Sequence, residues 1–83
     1  MTSIRLEEVV FTGASSYETT PLYINPVAIA AVRQYERKVS KIIESTTSET
    51  ELFLIFSEII LRNSTRFVVV GDPSRVNKKI QEG

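Results

Sequence analysis

Apolar and polar positions alternate imperfectly along residues 4–12, Ile-Arg-Leu-Glu-Glu-Val-Val-Phe-Thr, and the run closes on β-branched and aromatic residues. That pattern predicts a first strand. Residues 13–20, Gly-Ala-Ser-Ser-Tyr-Glu-Thr-Thr, are polar and aperiodic and read as an exposed loop. Pro21 and Pro26 then bracket an extended Leu22-Tyr23-Ile24. Asn25 is an N-cap residue and Pro26 suits the first helical position, so a helical turn begins there. How far it runs has two readings. Ala28, Val32, Tyr35, Val39 and Ile42 recur at steps of four, three, four and three, an a/d-type stripe for a helix over 26–44. The competing reading ends the helix after one turn and makes 29–36 and 39–45 two strands turning near Arg37-Lys38.

Residues 45–50 are a polar break, and 51–62 is again double-valued. Ser48 with Glu51 forms a capping-box pattern, and Leu52, Ile55, Phe56, Ile59 and Ile60 share a helical face. Phe53, Leu54 and Leu61 lie off that face, so a strand buried on both sides describes the run equally well. Asn63-Ser64-Thr65 predicts a turn into the strand 66–71, Arg-Phe-Val-Val-Val-Gly, and the two runs together predict a hairpin. Asp72 as N-cap, Pro73 at the first helical position and Val76 with Ile80 at i, i+4 predict a final helix. Lys78 and Lys79 sit near its C-terminus, where the helix dipole favours positive charge. Its two-residue stripe is narrow, which predicts a lid lying on a sheet and not a core element.

Composition narrows the function classes. The chain has 83 residues and 42% hydrophobic content, room for a single domain over 1–83. Ten Lys/Arg balance ten Asp/Glu, so no long-range field draws nucleic acid or anionic membrane. His and Cys are absent, which removes thiol nucleophiles, Cys/His zinc sites, disulfides and the commonest general base. No enzyme activity, cofactor or metal is expected. The N-terminus has no signal-peptide pattern, and the longest apolar run, 52–61, is broken by Ser57 and Glu58. A cytoplasmic location without membrane contact is the expectation. A domain this small buries only about 60–65% of its unfolded surface, so borrowing a second copy's surface is a natural remedy.

Few residues carry site chemistry. Gly71-Asp72-Pro73-Ser74 enters a helix but offers an anion a carboxylate and a proline without N–H. Glu7-Glu8 and Glu49/Glu51 lack calcium-loop spacing. Asn63-Ser64-Thr65 matches a glycosylation sequon but reads as a turn. Arg33, Arg37, Lys38 and Lys41 against Glu36 give +3 over 33–41, with Tyr35 interleaved as a base-stacking candidate. Glu44, Glu49, Glu51 and Glu58 give −4 over 42–61, and adjoining blocks of opposite sign equally suit self-contact. Residues 52–56, Leu-Phe-Leu-Ile-Phe, represent ~10 kcal/mol of transfer free energy if covered. One small sheet with one helix covers one face well. Leu52, Leu54, Phe56, Ile60, Phe67 and Val69 are therefore the candidate protein interface.

Tyr23-Ile24-Asn25-Pro26 followed by Ile29 and Val32, then a hairpin, then Val-Val-Val-Gly-Asp-Pro-x-x-Val-x-x-x-Ile over Val68 to Ile80, resembles the small FlbD-like bacterial and phage-borne proteins. The resemblance spans about sixty residues. It implies a strand leading into Asn-Pro and one helical turn, antiparallel strands and a closing helix, which makes 29–36 a strand. It also implies an accessory or regulatory role, such as one linked to motility. Two features depart from it: Asn63-Ser64-Thr65 stands where the family has a glycine-containing turn, and 38–50 is longer. The combined expectation is an α+β domain, mainly antiparallel sheet with a short C-terminal helix, the alternative being α/β with the long helix 26–44. Its expected function is a non-catalytic binding or assembly module, regulatory in role. It would self-associate as a homo-oligomer or dock another protein. The alternative is a small nucleic-acid-binding regulator using 33–41.

Overall fold

The computed structural model describes residues 3–13, 16–42 and 49–82, with backbone alone for 39–42 and 49–52. Five strands form one wholly antiparallel sheet in the order β2-β1-β5-β4-β3, and one helix closes the chain. β1 (Ile4–Phe11) and β2 (Tyr17–Ile24) pair without interruption from Ile4↔Ile24 to Phe11↔Tyr17. The sequence places 13–20 in a loop, yet Tyr17 to Thr20 belong to β2. Those four residues are exposed on an edge strand, so they carry no alternation, and the ladder with Val9–Phe11 orders them. Pro21 fits because β2 is an edge, where a missing N–H faces away from the ladder.

The helical turn at Asn25 is a single 3₁₀ turn, Pro26–Ala28. Asn25 caps it: the Val27 N–H donates to Oδ1 at 3.0 Å and the Ala28 N–H to the Asn25 carbonyl at 2.9 Å. β3 (Ile29–Ile42) follows at once, so 29–42 is extended and the helix over 26–44 does not form. Nor is there a turn at 37–38: Arg37 faces Leu54 and Lys38 faces Phe53 in mid-ladder with β4 (Glu49–Leu61). The sequence reading that extends the second strand from Ile42 to 45 falls outside the described residues. The reason for the strand is tertiary. The run in β4 needs a partner strand for its backbone, and Val32 opposite Ile59 with Tyr35 opposite Phe56 supplies one. Helix periodicity in Val32 and Tyr35 is overridden.

β2 and β3 are opposite edges, yet only residues 25–28 join them. Four inter-strand spacings would separate the edges of a flat sheet by about 19 Å. A connection containing a 3₁₀ turn reaches about 13 Å. The sheet must therefore roll. The roll shows in β1, which bridges β5 (Arg66–Val70) at Glu8↔Val69 alone. Before that crossing the even residues Ile4 and Leu6 are buried; after it, the odd residue Val9 is. The ribbon thus turns opposite faces inward on its two halves.

Two apolar clusters result. The first gathers Ile4, Leu6, Ile24, Ile59, Val69 and Val76. Val76 lies on α1 (Pro73–Glu82) and is 2% exposed, so the helix is a core member and not the surface lid its narrow stripe suggests. Its N-terminus is set by Asp72, whose Oδ1 accepts from the Arg75 N–H at 2.9 Å. Gly71, with φ at 105°, turns the chain from β5 into the helix, a conformation L side chains disfavour. Ser57, fully buried, donates to the Gly71 carbonyl at 2.8 Å and ties β4 to that corner. The second cluster is aromatic: Phe11, Tyr17, Tyr35 and Phe56, with Phe56 4% exposed. Around 56–59, β4 is buried on both faces, Phe56 on one and Ser57 and Ile59 on the other.

The β4–β5 turn has a conformational cost. Ser64 adopts φ of 72°, where a Cβ clashes with the backbone and glycine does not. Thr65 N–H donating to Asn63 Oδ1 at 3.0 Å and Leu61 N–H to the Thr65 carbonyl at 2.8 Å hold it there. Ser64→Gly is expected to stabilise the fold by about 0.5–1 kcal/mol, read as a raised urea midpoint; an unchanged or lowered midpoint would contradict it.

The molecule is elongated. Its radius of gyration is 15.2 Å and its extents are 53 × 22 × 19 Å, against about 12 Å for a compact chain of this length. β5 pairs with Phe56–Ile60 only, whereas the β3–β4 ladder continues to Ile42↔Glu49. The distal part is a two-stranded arm, roughly 23 Å long at the usual rise of a strand.

Candidate docking surface

Apolar surface is left over at the β2–β3 corner, where Val27 is 73% and Tyr23 68% exposed, and on the arm. Phe53 is 58% exposed and Ile55 49%, and Val70, at the end of β5, is 42% exposed. Strand parity explains the first two. They share the face of Ser57 and Ile59, but they lie beyond the point where β5 and α1 cover it. Where β5 departs at Gly71, a recess of about 370 Å3 opens between Tyr17, Leu54, Ile55, Phe56, Val70 and Arg75.

The edges of the sheet differ in how they resist pairing. β2 carries Pro21, and β3 carries Arg33, Arg37 and Lys38, both common protections against strand addition. The far side of β4 over Glu49–Ile55 pairs with no strand among the described residues. It reads Glu-Thr-Glu-Leu-Phe-Leu-Ile, without proline or a basic residue. Its open groups can be assigned. The Leu61 N–H points toward β5, donating to Thr65, and the Arg62 N–H points toward β3, donating to the Ala28 carbonyl at 2.9 Å. The β3–β4 ladder has one register shift, between Ile29 and Ala31 on β3. β4 itself is continuous, with unbroken register from Ile60 to Glu49, so alternation turns the N–H and C=O of Glu49, Glu51, Phe53 and Ile55 to the open side.

The residues expected to form an apolar interface divide. Val69 is fully buried and Phe56 4% exposed, so neither offers surface to a partner; both are consumed in the chain's own clusters. Phe67 is half-buried against the core, and Ile60 and Leu54 are half-buried. The side chain of Leu52 lies outside the described residues. Within β4 and β5, Phe53, Ile55 and Val70, absent from the expected set, are the exposed large apolar residues. Parity alone does not find them, because it says which face a residue shares and not where the cover ends.

The basic segment is largely occupied within the chain. Arg33 Nε lies 3.5 Å from Glu58 Oε1. Tyr35 packs 6.0 Å from Phe11, ring to ring. The Arg37 guanidinium sits 3.9 Å over the Phe11 ring and donates through Nη2 to the Gly13 carbonyl at 3.2 Å. Lys38 is exposed at the opposite parity from these three, and the Lys41 side chain is outside the described residues. Arg37 thus pins the β1–β2 loop to the base of the arm. Arg37→Ala is expected to cost about 1–2 kcal/mol, from the lost cation–π contact and charged hydrogen bond. Urea unfolding checks it, and a change under about 0.3 kcal/mol would mean the contact is energetically idle.

Among the described residues no three His, Cys, Asp or Glu side chains gather as a metal site, and no helix is long and apolar enough to cross a membrane. The carboxylate of Asp72 occupies the N-terminus of α1, where an anion would bind. The chain matches no family model, no curated protein and no solved structure.

Proposed function

We infer that this chain is a non-catalytic association module that docks a second copy of itself or another protein through the β3–β4 arm. One observation carries the reading: Phe53 at 58% and Ile55 at 49% exposure stand together on one face of a projecting ribbon. An isolated two-stranded ribbon is marginal in water, and exposed apolar side chains grouped on one mark a contact surface. The absence of His and Cys from the sequence supports a role without chemistry. The resemblance to FlbD-like proteins supports an accessory or regulatory role in a bacterial or phage cytoplasm. Nucleic-acid binding is the weaker reading, since Arg33, Tyr35 and Arg37 already have intrachain partners.

Size-exclusion chromatography with light scattering over a concentration series is the test. Association that holds or strengthens with added salt is expected of apolar contacts. A chain that stays monomeric and captures an oligonucleotide in a strongly salt-dependent manner would overturn the reading.

A further inference from the structure

We propose that the open edge of β4, Glu49–Ile55, pairs antiparallel with the same edge of a second copy, about a two-fold axis at Leu52. The proposal rests on the association reading and names the surface and the occupant. The open edge runs from Glu49 to Ile55, and its midpoint is Leu52. Pairing the whole of it with itself sets Glu49 opposite Ile55, Thr50 opposite Leu54, Glu51 opposite Phe53, and Leu52 opposite its own counterpart. Every position whose N–H and C=O face the open side then meets another such position, as an antiparallel ladder requires. A shift by one residue in either chain loses that match or shortens the ladder.

The side chains agree with this register. No like charges stand opposite each other. On the odd face, the two copies of Phe53 become diagonal neighbours, within reach of aromatic rings, and Ile55 extends that patch at each end. On the even face, the Leu54 positions of the two copies flank the two-fold axis. The ends are complementary in charge. Glu49 of the second copy falls opposite Ile55, which lines the same recess as Arg75. Arg75 is exposed and makes no ion pair among the described residues. Asp72, also in that recess, already has Oδ1 bonded to the Arg75 N–H. The added strand continues the line of β5 beyond Gly71, into the space the recess leaves. The other two edges, with Pro21 and with basic side chains, are poorer templates, so the pairing closes as a dimer.

The chain contains no cysteine, which makes single-cysteine crosslinking a clean readout. Leu52 faces itself at a non-hydrogen-bonded position, where Cα atoms lie about 4.5 Å apart, within disulfide reach. Leu54 does not face itself. Under mild oxidation Leu52→Cys is expected to form a covalent dimer at least tenfold faster than Leu54→Cys. Phe53→Pro removes an N–H that points to the open side and spares the β3 ladder, so it is expected to be monomeric with an unchanged far-UV spectrum. Arg75→Glu should weaken the dimer about tenfold, and adding Glu49→Arg should restore it. A wild-type dimer in which Leu52→Cys crosslinks no faster than Leu54→Cys overturns the edge pairing and leaves the association reading standing. A wild-type chain that stays monomeric at the highest concentration overturns both.

Discussion

Ile59→Ala is expected to lower the stability of the fold by about 3–4 kcal/mol. Ile59 is fully buried, it faces Val32 on one neighbouring strand and Phe67 on the other, and its cluster includes Val76 from the helix. Truncating a buried isoleucine costs the transfer free energy of the lost methyl groups plus a cavity term, about 2–5 kcal/mol together. The site is at the upper part of that range because its walls cannot close in. Val32 and Phe67 are held by strand register, and Val76 by a helix whose entry is fixed at Asp72 and Gly71. A domain of this length has about 4–12 kcal/mol in all. The variant would lose a large share of it, and its urea midpoint would fall by 2 M or more at a slope near 1 kcal/mol/M. Ile59→Val, which removes one methyl, should cost about 1 kcal/mol. A loss below 1 kcal/mol for the alanine variant would mean that the centre of the fold lies elsewhere.

How much of this architecture was legible in the amino-acid sequence depends on whether the signal was local. β1, β5 and α1 were, because alternation, the β-branched run 66–70 and the Asp72-Pro73 start act within a few residues. The 3₁₀ turn at Asn25-Pro26 was legible for the same reason. β3 was not. Its apolar residues satisfy a helical and an extended reading alike, and β4, further along the chain, decides between them by offering a ladder. β2 takes in four residues that the sequence places in a loop, Tyr17 to Thr20, since its first half is exposed and is ordered only by pairing with β1. Val76 looked peripheral because a two-residue stripe is narrow, but a rolled sheet has a concave side that one valine can fill.

The surface was less legible than the fold. A surplus of apolar side chains in 52–70 is readable from composition. Which of them stay exposed is not, because the answer turns on two distances along β4: how far β5 reaches, and how far the ends of β1 and β2, at Phe11 and Tyr17, reach over Phe56. The sheet's roll sets both. It covers Phe56 and Val69 and leaves Phe53, Ile55 and Val70 open, so the expected surplus is present on different residues. Tyr35 and Arg37 likewise look like nucleic-acid ligands in sequence and act as supports in the fold.

Phe56→Ala is expected to cost about 3–5 kcal/mol and, unlike Ile59→Ala, to uncouple two parts of the molecule. Phe56 meets Phe11 edge-on at 5.9 Å between ring centroids and Tyr17 edge-on at 5.2 Å, joining the β1–β2 ribbon to the root of the arm. Edge-to-face pairs contribute about 0.5–1.5 kcal/mol each beyond burial. Phe56→Leu, which keeps most of the volume and loses the ring geometry, should therefore still cost about 1–3 kcal/mol. Tyrosine reports the difference in place. The chain has no Trp and three Tyr, and Tyr17 and Tyr35 are in this cluster while Tyr23 is 68% exposed. The near-UV circular dichroism of the folded protein thus comes mainly from the rings around Phe56. In conditions where each variant is still folded by far-UV signal, Phe56→Leu should lose most of that near-UV band. Ile59→Val, in the other cluster, should keep it. Equal loss in both would show one continuous core, and the arm would then be braced through Ile59 and the helix instead of through the aromatic rings.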